Sequence, residues 1–361
     1  MSSGLYRAVG LMSGTSMDGI DAALIETDGE AHVRPLGFHS VPYAEQTREK
    51  LRASIERALA MEAPGEDPVI SAAAAEITAL HADAVRSLLE DASADIVGFH
   101  GQTIAHRPER GWTWQIGDGS GLARALGIQV VADLRSADVA AGGQGAPLLP
   151  VYHRALASGL GGPVAVLNLG GVGNITFLGA DDQMIAFDTG PANALIDDWV
   201  LAARGLSHDA GGAIAASGVA HEEVLARMSN LDWFAVPPPK SLDRHDFSLN
   251  AVSGLSVEDG AATLTAFTAE TVRLALAHLP VPPTRLLVTG GGRHNATLMR
   301  MLAERTGLPA DPVEAVGWRG DAMEAEGFAY MAVRRLRDLP ISFPGTTGVP
   351  LPTVGGVIFR P

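Results

Sequence analysis

The residues best suited to chemistry lie in three glycine-rich turns, each at the end of an apolar run. Gly10–Asp21 reads Gly-Leu-Met-Ser-Gly-Thr-Ser-Met-Asp-Gly-Ile-Asp and follows the apolar run Leu5–Val9. Within it, Gly14, Thr15, Ser16, Met17, Asp18, Gly19, Ile20 and Asp21 form a turn whose backbone N–H groups and hydroxyls suit phosphate oxygens. There is no P-loop lysine, so a phosphate here relies on backbone, hydroxyls and a metal. Asp18 and Asp21 suit Mg2+, which takes few carboxylates and keeps waters. The second turn is Asn168-Leu169-Gly170-Gly171-Val172-Gly173-Asn174, and the third is Thr289-Gly290-Gly291-Gly292-Arg293-His294-Asn295. A tight hairpin needs the same residue types, so one such turn decides nothing. Three in one chain suggest a nucleotide held between two related halves.

Other side chains carry competing readings. Asp188 closes the apolar run Met184–Phe187 and stands too early to cap a helix beginning near Ala192. A carboxylate at a strand end in a cleft suits a general base. Asp321-Ala322-Met323-Glu324 has the spacing of a capping box. Arg135 and Asp138 suit a substrate's carboxylate and hydroxyls, or an ordinary surface ion pair. His100 and His106 lack a metal-ligand spacing that continues elsewhere. Lys240 reaches a phosphate or a sugar, or is a solvated loop charge. Gly170-Gly171-x-Gly173 looks like a dinucleotide fingerprint, but strand-like Ile175–Leu178 follows where a Rossmann loop opens a helix.

The elements that must position these residues read as a repeated α/β pattern. Leu5–Val9 and Asp21–Ile25 form a hairpin, with Val33–Val41 as a third strand. Helices are expected at Glu45–Ala60 and Pro68–Asp91, then a short strand Ile96–Phe99 running into His100-Gly101-Gln102-Thr103. The order restarts with the strand Val164–Leu167, the turn Asn168–Asn174, the strands Ile175–Leu178 and Met184–Phe187, and a helix Ala192–Arg204. Arg285–Val288 is a strand running into the third turn, and a helix is expected at Asp321–Asp338. Two domains follow, residues 1–150 and 151–339, with the tail 340–361 packing on the first and a ligand cleft between them.

Composition narrows the class. The chain has 361 residues, 47% of them apolar, which supports large cores rather than disorder. It has no cysteine, hence no disulfide and no thiolate chemistry. No apolar run reaches the ~18 residues of a membrane span, and the N-terminus has no signal-peptide pattern. A cytoplasmic protein with no membrane partner fits. The net charge of −15 argues against a nucleic-acid partner, although a local metal still permits ATP.

Seven segments together carry a family likeness: 12–21, His100–Thr103, Gln115–Asp118, Ala141–Leu148, Asn168–Gly171, Phe187–Asn193 and the Gly290–Asn295 run. In this order they resemble the anhydro-N-acetylmuramic acid kinase family, over nearly the whole chain from Gly10 to Phe359. The resemblance implies two RNase H-like (actin-like ATPase) domains with ATP in a cleft, and a homodimer. It also implies the conversion of 1,6-anhydro-N-acetylmuramic acid, ATP and water to N-acetylmuramic acid 6-phosphate and ADP, in peptidoglycan recycling. By likeness, Asp188 is the water-activating carboxylate, and Gly14–Asp21 binds ATP, together with Asn168, Gly170, Gly171, Gly290, Gly291, Gly292 and Asn295. Glu324, Arg135, Gln102 and Thr103 fall on the substrate side. The family's Lys-Ser-Thr-Gly-Arg-Glu is here Lys240-Ser241-Leu242-Asp243-Arg244-His245, a changed loop that bears on substrate preference. Two other readings are a kinase for another 1,6-anhydro sugar such as levoglucosan, and an actin- or Hsp70-like ATP-dependent binding module.

Overall fold

The computed structural model describes residues 4–242 and 247–361. Its first six strands are β1 (Tyr6–Ser13), β2 (Gly19–Thr27), β3 (Val33–Pro42), β4 (Ile96–Arg107), β5 (Trp112–Ile116) and β6 (Gln129–Ala132). Five more follow: β7 (Val164–Leu169), β8 (Val172–Leu178), β9 (Met184–Pro191), β10 (Leu286–Thr289) and β11 (Ala310–Pro312). A last strand, β12 (Val357–Phe359), lies near the C-terminus.

The chain divides into two compact units, residues 1–158 with 322–361, and residues 159–321. In the first, the sheet order is β12-β6-β4-β1-β2-β3, with β5 on β4. In the second it is β11-β10-β7-β8-β9. The senses match as well as the order. β1, β2 and β3 are antiparallel, while β4 joins β1 in parallel and β6 joins β4 in parallel. β7, β8 and β9 are antiparallel, β10 joins β7 in parallel and β11 joins β10 in parallel. The same strand order and sense occur twice, which is the duplicated RNase H-like arrangement.

Central strands of this kind are covered on both faces and read as unbroken apolar runs. Ala8, Val9, Leu11, Ala165, Val166 and Leu167 are fully or almost fully buried. Helix Pro68–Leu89 starts where Asp67 accepts hydrogen bonds from the N–H groups of Val69 and Ile70, and it buries Ile70, Ala73, Ile77 and Val85 in the first core. In the second unit, helix Val257–Leu276 starts at Ser256, whose Oγ accepts from Asp259 N–H. It buries Ala269, Val272 and Ala275 with Phe177 and Phe187 of the sheet.

The helix Met323–Leu336 lies on the first sheet, which moves residues 322–339 out of the expected second domain. Gly10 and Gly98, partners across β1 and β4, make this possible. A Cβ on Gly10 would stand 1.8 Å from Ala325 O, and one on Gly98 would stand 2.1 Å from Phe328 O. The missing side chains let the helix backbone rest on the strands. Residues 151–158 also join the first unit: Tyr152 Oη donates to Glu326 at 2.7 Å and its ring packs 5.5 Å from that of Tyr330.

Three local expectations are corrected. β4 does not stop at Phe99 but continues through His100–Thr103, with a bulge where Gly101 takes φ +72°. β9 likewise runs past Asp188 to Pro191, because β8 keeps pairing with it. The capping box does not form: Ala322 is the N-cap of Met323–Leu336, without a side-chain cap, and Asp321 is held by Arg293 at 2.6 Å instead.

Candidate active site

In the first unit the β1–β2 turn is fastened from below. Gln102 is fully buried; its Oε1 accepts from Ser13 Oγ and its Nε2 donates to Gly14 O at 3.0 Å. Ser13 also bonds Tyr43 Oη at 2.7 Å. Both ends of the Gln102 amide are therefore engaged by the turn. Gln102 thus supports the turn. Thr103 Oγ1 accepts from Gln115 Nε2 at 3.1 Å. The turn itself closes with Met17 N–H on Gly14 O at 3.1 Å, and Met17 sits at φ +58°. Thr15, Ser16 and Asp18 are exposed at its tip, while the Ile20 side chain is in the core, leaving only its backbone for a ligand.

Behind the turn, the first unit holds Arg135, His100 and Glu324 as one electrostatic group. Arg135 Nε donates to His100 Nε2 at 3.1 Å, and one terminal nitrogen donates to Gly145 O at 2.7 Å. Burial pushes the guanidinium down to about 10, against the opposing pull of Glu324 and Asp138. Burial raises the Glu324 carboxyl; Arg135 lowers it and Asp21 raises it. Asp138, almost fully buried, is committed elsewhere: its oxygens accept from Gly145 N and from Thr347 Oγ1, both at 2.6 Å. Among the described residues no carboxylate pairs with Arg135 at ion-pair distance. A buried cation without an acid partner is costly and fits an anion brought by a ligand. His100 also lines a cavity of about 320 Å³ with Trp114, Gln115, Asp133 and Ser136.

In the second unit the other two turns are neighbours. Thr289 on β10 is the register partner of Asn168 on β7, so Gly290 follows beside Leu169. Gly290 has φ +77°, and a Cβ there would stand 2.4 Å from Asn168 Oδ1. Asn193 straps the β7–β8 turn: its Nδ2 donates to Leu169 O at 2.8 Å and to Gly170 O at 2.9 Å. Gly171 and Gly291 are exposed, so their backbone is open to a ligand. Asn295 is occupied as the N-cap of helix Ala296–Thr306, with Oδ1 accepting from Leu298 N–H at 2.9 Å. Arg293 is buried and bonds Glu314, Asp321 and Gly290 O, which fixes the third turn.

Asp188 stands in the same unit with a partner from a distant loop. Its Oδ2 accepts from Leu242 N–H at 2.9 Å, and its own N–H donates to Lys240 O at 3.1 Å. Burial pushes the carboxyl up to about 7, and the Leu242 hydrogen bond only partly offsets this. Lys240 is partly buried and engaged locally. Its Nζ donates to the carbonyls of Trp233 and Phe234, both at 3.2 Å, and lies 4.3 Å from the Trp233 ring centre. It therefore anchors the strand-like stretch that holds Asp188. The altered positions Asp243, Arg244 and His245 lie outside the described residues.

Sequence reasoning took Asn174 only as the end of the second turn and missed its place beside Asp188. The register places Asn168, Asn174 and Asp188 side by side on β7, β8 and β9. Directly paired residues project from one face, so three partly exposed polar side chains stand in a row. The available signal was an asparagine, a poor strand former, inside the strand Val172–Leu178. For Mg2+, the described residues contain no group of three or more acidic or histidine side chains suited to a metal. Asp18 and Asp21 fit an ion carried largely by phosphates and water, which needs only one or two carboxylates.

The model of the family described as anhydro-N-acetylmuramic acid kinase matches residues 6–361. Relatives carrying that name agree over the full length. The protein of Rhizorhabdus wittichii is 66% identical, over 98% of this chain and 99% of its own. That of Zymomonas mobilis subsp. mobilis is 56% identical, over 97% and 99%. That of Rhodospirillum rubrum is 53% identical, over 98% and 94%. The chain belongs to the anhydro-N-acetylmuramic acid kinase family.

Proposed function

We infer that this chain converts 1,6-anhydro-N-acetylmuramic acid, ATP and water to N-acetylmuramic acid 6-phosphate and ADP. The observation that carries the reading is the full-length identity to kinases of that name. Asp188, with a carboxyl pushed up to about 7, is basic enough to take a proton from water near neutral pH. That water adds to C1 as the C1–O6 bond opens, and O6 becomes the nucleophile toward the γ-phosphate. Gly14–Asp21, Asn168, Gly170, Gly171 and Gly290–Gly292 are the proposed nucleotide contacts. Asp18 and Asp21 would hold Mg2+, whose charge offsets that of the phosphates. Arg135 is proposed to receive the lactyl carboxylate, with Glu324 beside it on the sugar. Among the described residues Arg135 has no carboxylate at ion-pair distance, which favours a carboxylate-bearing sugar over levoglucosan, which has no acid group.

We further propose a homodimer working in the cytoplasm; no described helix is long and apolar enough to cross a membrane. ADP release with Mg2+-ATP, with and without the anhydro sugar, tests the function, with the product identified by mass. ADP formed only with the sugar, and a product heavier by phosphate plus water, is expected. ADP formed equally without it would replace the kinase reading with an ATP-driven binding protein.

A further inference from the structure

We propose that His100 is the positioning residue for Arg135: a neutral imidazole that orients the guanidinium without neutralising it. The proposal rests on the reading of Arg135 as the receptor for the sugar's carboxylate.

The protonation pattern follows from the partners. A guanidinium can only donate, so His100 Nε2 must present its lone pair to Arg135 Nε at 3.1 Å. Nδ1 must then carry the proton, and it faces Gly101 O at 2.9 Å, a group that can only accept. The ring is therefore a fixed Nδ1–H tautomer. It is held between the bulge carbonyl of β4 on one side and Arg135 on the other, and packed 4.6 Å from the Phe328 ring.

For Arg135 the consequence is orientation in two directions. Nε is fixed by His100, and one terminal nitrogen is fixed by Gly145 O at 2.7 Å. These two contacts set the plane of the fork and, among the described residues, leave the other terminal nitrogen to meet a ligand. Both protein partners are neutral. A glutamate in place of His100 would hold the same edge of the fork, but it would cancel the charge needed for an incoming anion. The nearby acids do not take that role: Asp138 is committed to Gly145 N–H and Thr347 Oγ1, and Glu324 makes no ion pair with Arg135 at contact distance. An ordinary core histidine would need no partner of this kind, because it would be satisfied by any local donor.

The experiment is steady-state kinetics of the full chain with 1,6-anhydro-N-acetylmuramic acid, combined with a double-mutant cycle. His100→Phe keeps the packing on Phe328 and removes the acceptor. It is expected to raise KM on the order of tenfold or more, the scale of a lost hydrogen bond to a charged group, with kcat changed much less. In an Arg135→Ala background the same change should add less than about threefold, because coupled residues are not additive. His100→Gln, which can accept from Arg135 and donate to Gly101 O, should recover most of the loss. His100→Glu should raise KM although it can still hold Arg135. Nitrogen NMR of the His100 ring in the unsubstituted chain should show Nδ1 protonated and Nε2 bare, a reading that survives any variant that fails to fold.

Multiplicative effects of His100→Phe and Arg135→Ala, or a ring protonated on Nε2, would overturn the proposal while leaving Arg135 in its role. An Arg135→Ala variant with unchanged KM would overturn the carboxylate reading itself, and the positioning role with it.

Discussion

Asp188 owes its basicity to burial inside a strand, which outweighs the opposing hydrogen bond from Leu242 N–H, rather than to a charged partner. Asp188→Asn should leave fold and nucleotide binding intact and lower kcat by ~10²–10⁴, the usual weight of a positioned base. Stopped-flow or coupled-assay rates check this, and near-normal turnover would remove Asp188 from the role. The acid limb of the wild-type rate profile should fall near pH 7, with activity rising as the carboxyl loses its proton. Stability should run the other way. The folded pKa is raised above the ordinary carboxylate value of 3.8, so between about pH 4 and 7 the folded chain holds a proton the unfolded chain has lost. Stability therefore declines with rising pH across that window, and Asp188→Asn should melt higher than wild type at pH 8. Asn174 offers a second check. Asn174→Asp sets a like charge in the same row, so the acid limb should move up by ~1 unit or more, as neighbouring carboxylates do. An unmoved limb would mean that Asn174 does not face Asp188.

At the scale of elements, two glycines decide where a substrate-side carboxylate stands. Gly10 and Gly98 admit the backbone of helix Met323–Leu336, and that helix carries Glu324 in its first turn. Gly10→Ala would drive a methyl against Ala325 O. A loss of ~1–3 kcal/mol or more is expected, as for other overpacked cores, together with a raised KM through displacement of Glu324. Urea unfolding read beside KM tests it; an unchanged midpoint would show that the close approach is not real. The segment from Lys240 to Leu242 plays a comparable part in the second unit, since the cation held at Trp233 and Phe234 fixes the backbone that meets Asp188.

At the scale of the whole chain, the first unit is discontinuous. Residues 322–361 return to it after the second unit, supplying the helix over Gly10 and Gly98 and the strand β12 that pairs with β6. A chain ending at Asp321 would expose that apolar sheet face and the β6 edge. It should be insoluble or lack a cooperative unfolding transition, measured by calorimetry; a truncated chain with a normal transition would show that the first sheet does not need its returning segment. The second unit, residues 159–321, is continuous and carries its own core of Ala165, Leu167, Phe177, Phe187 and Val288.

Local chemistry decided what the sequence could show by itself. Apolar runs of strand length, three glycine-rich turns and seven motifs in order were enough for the α/β class, the duplicated pattern and the family likeness. Each depends on residues close together in the chain. What lay outside that reach depends on partners that meet only once the chain has folded. Spacing alone made Glu324 half of a capping box, but Arg293 takes Asp321 and no box forms. Lys240 looked like a free charge because its carbonyl and ring partners lie on a separate short helix. Asn174 was read only as the end of the second turn, because only strand register sets it beside Asp188. The division near residue 150 missed the returning helix because a glycine in a strand does not reveal which backbone will rest on it. Composition and pattern determine which elements form. Register, close approach and burial, which exist only once those elements pack, decide which side chains meet and what charge each carries.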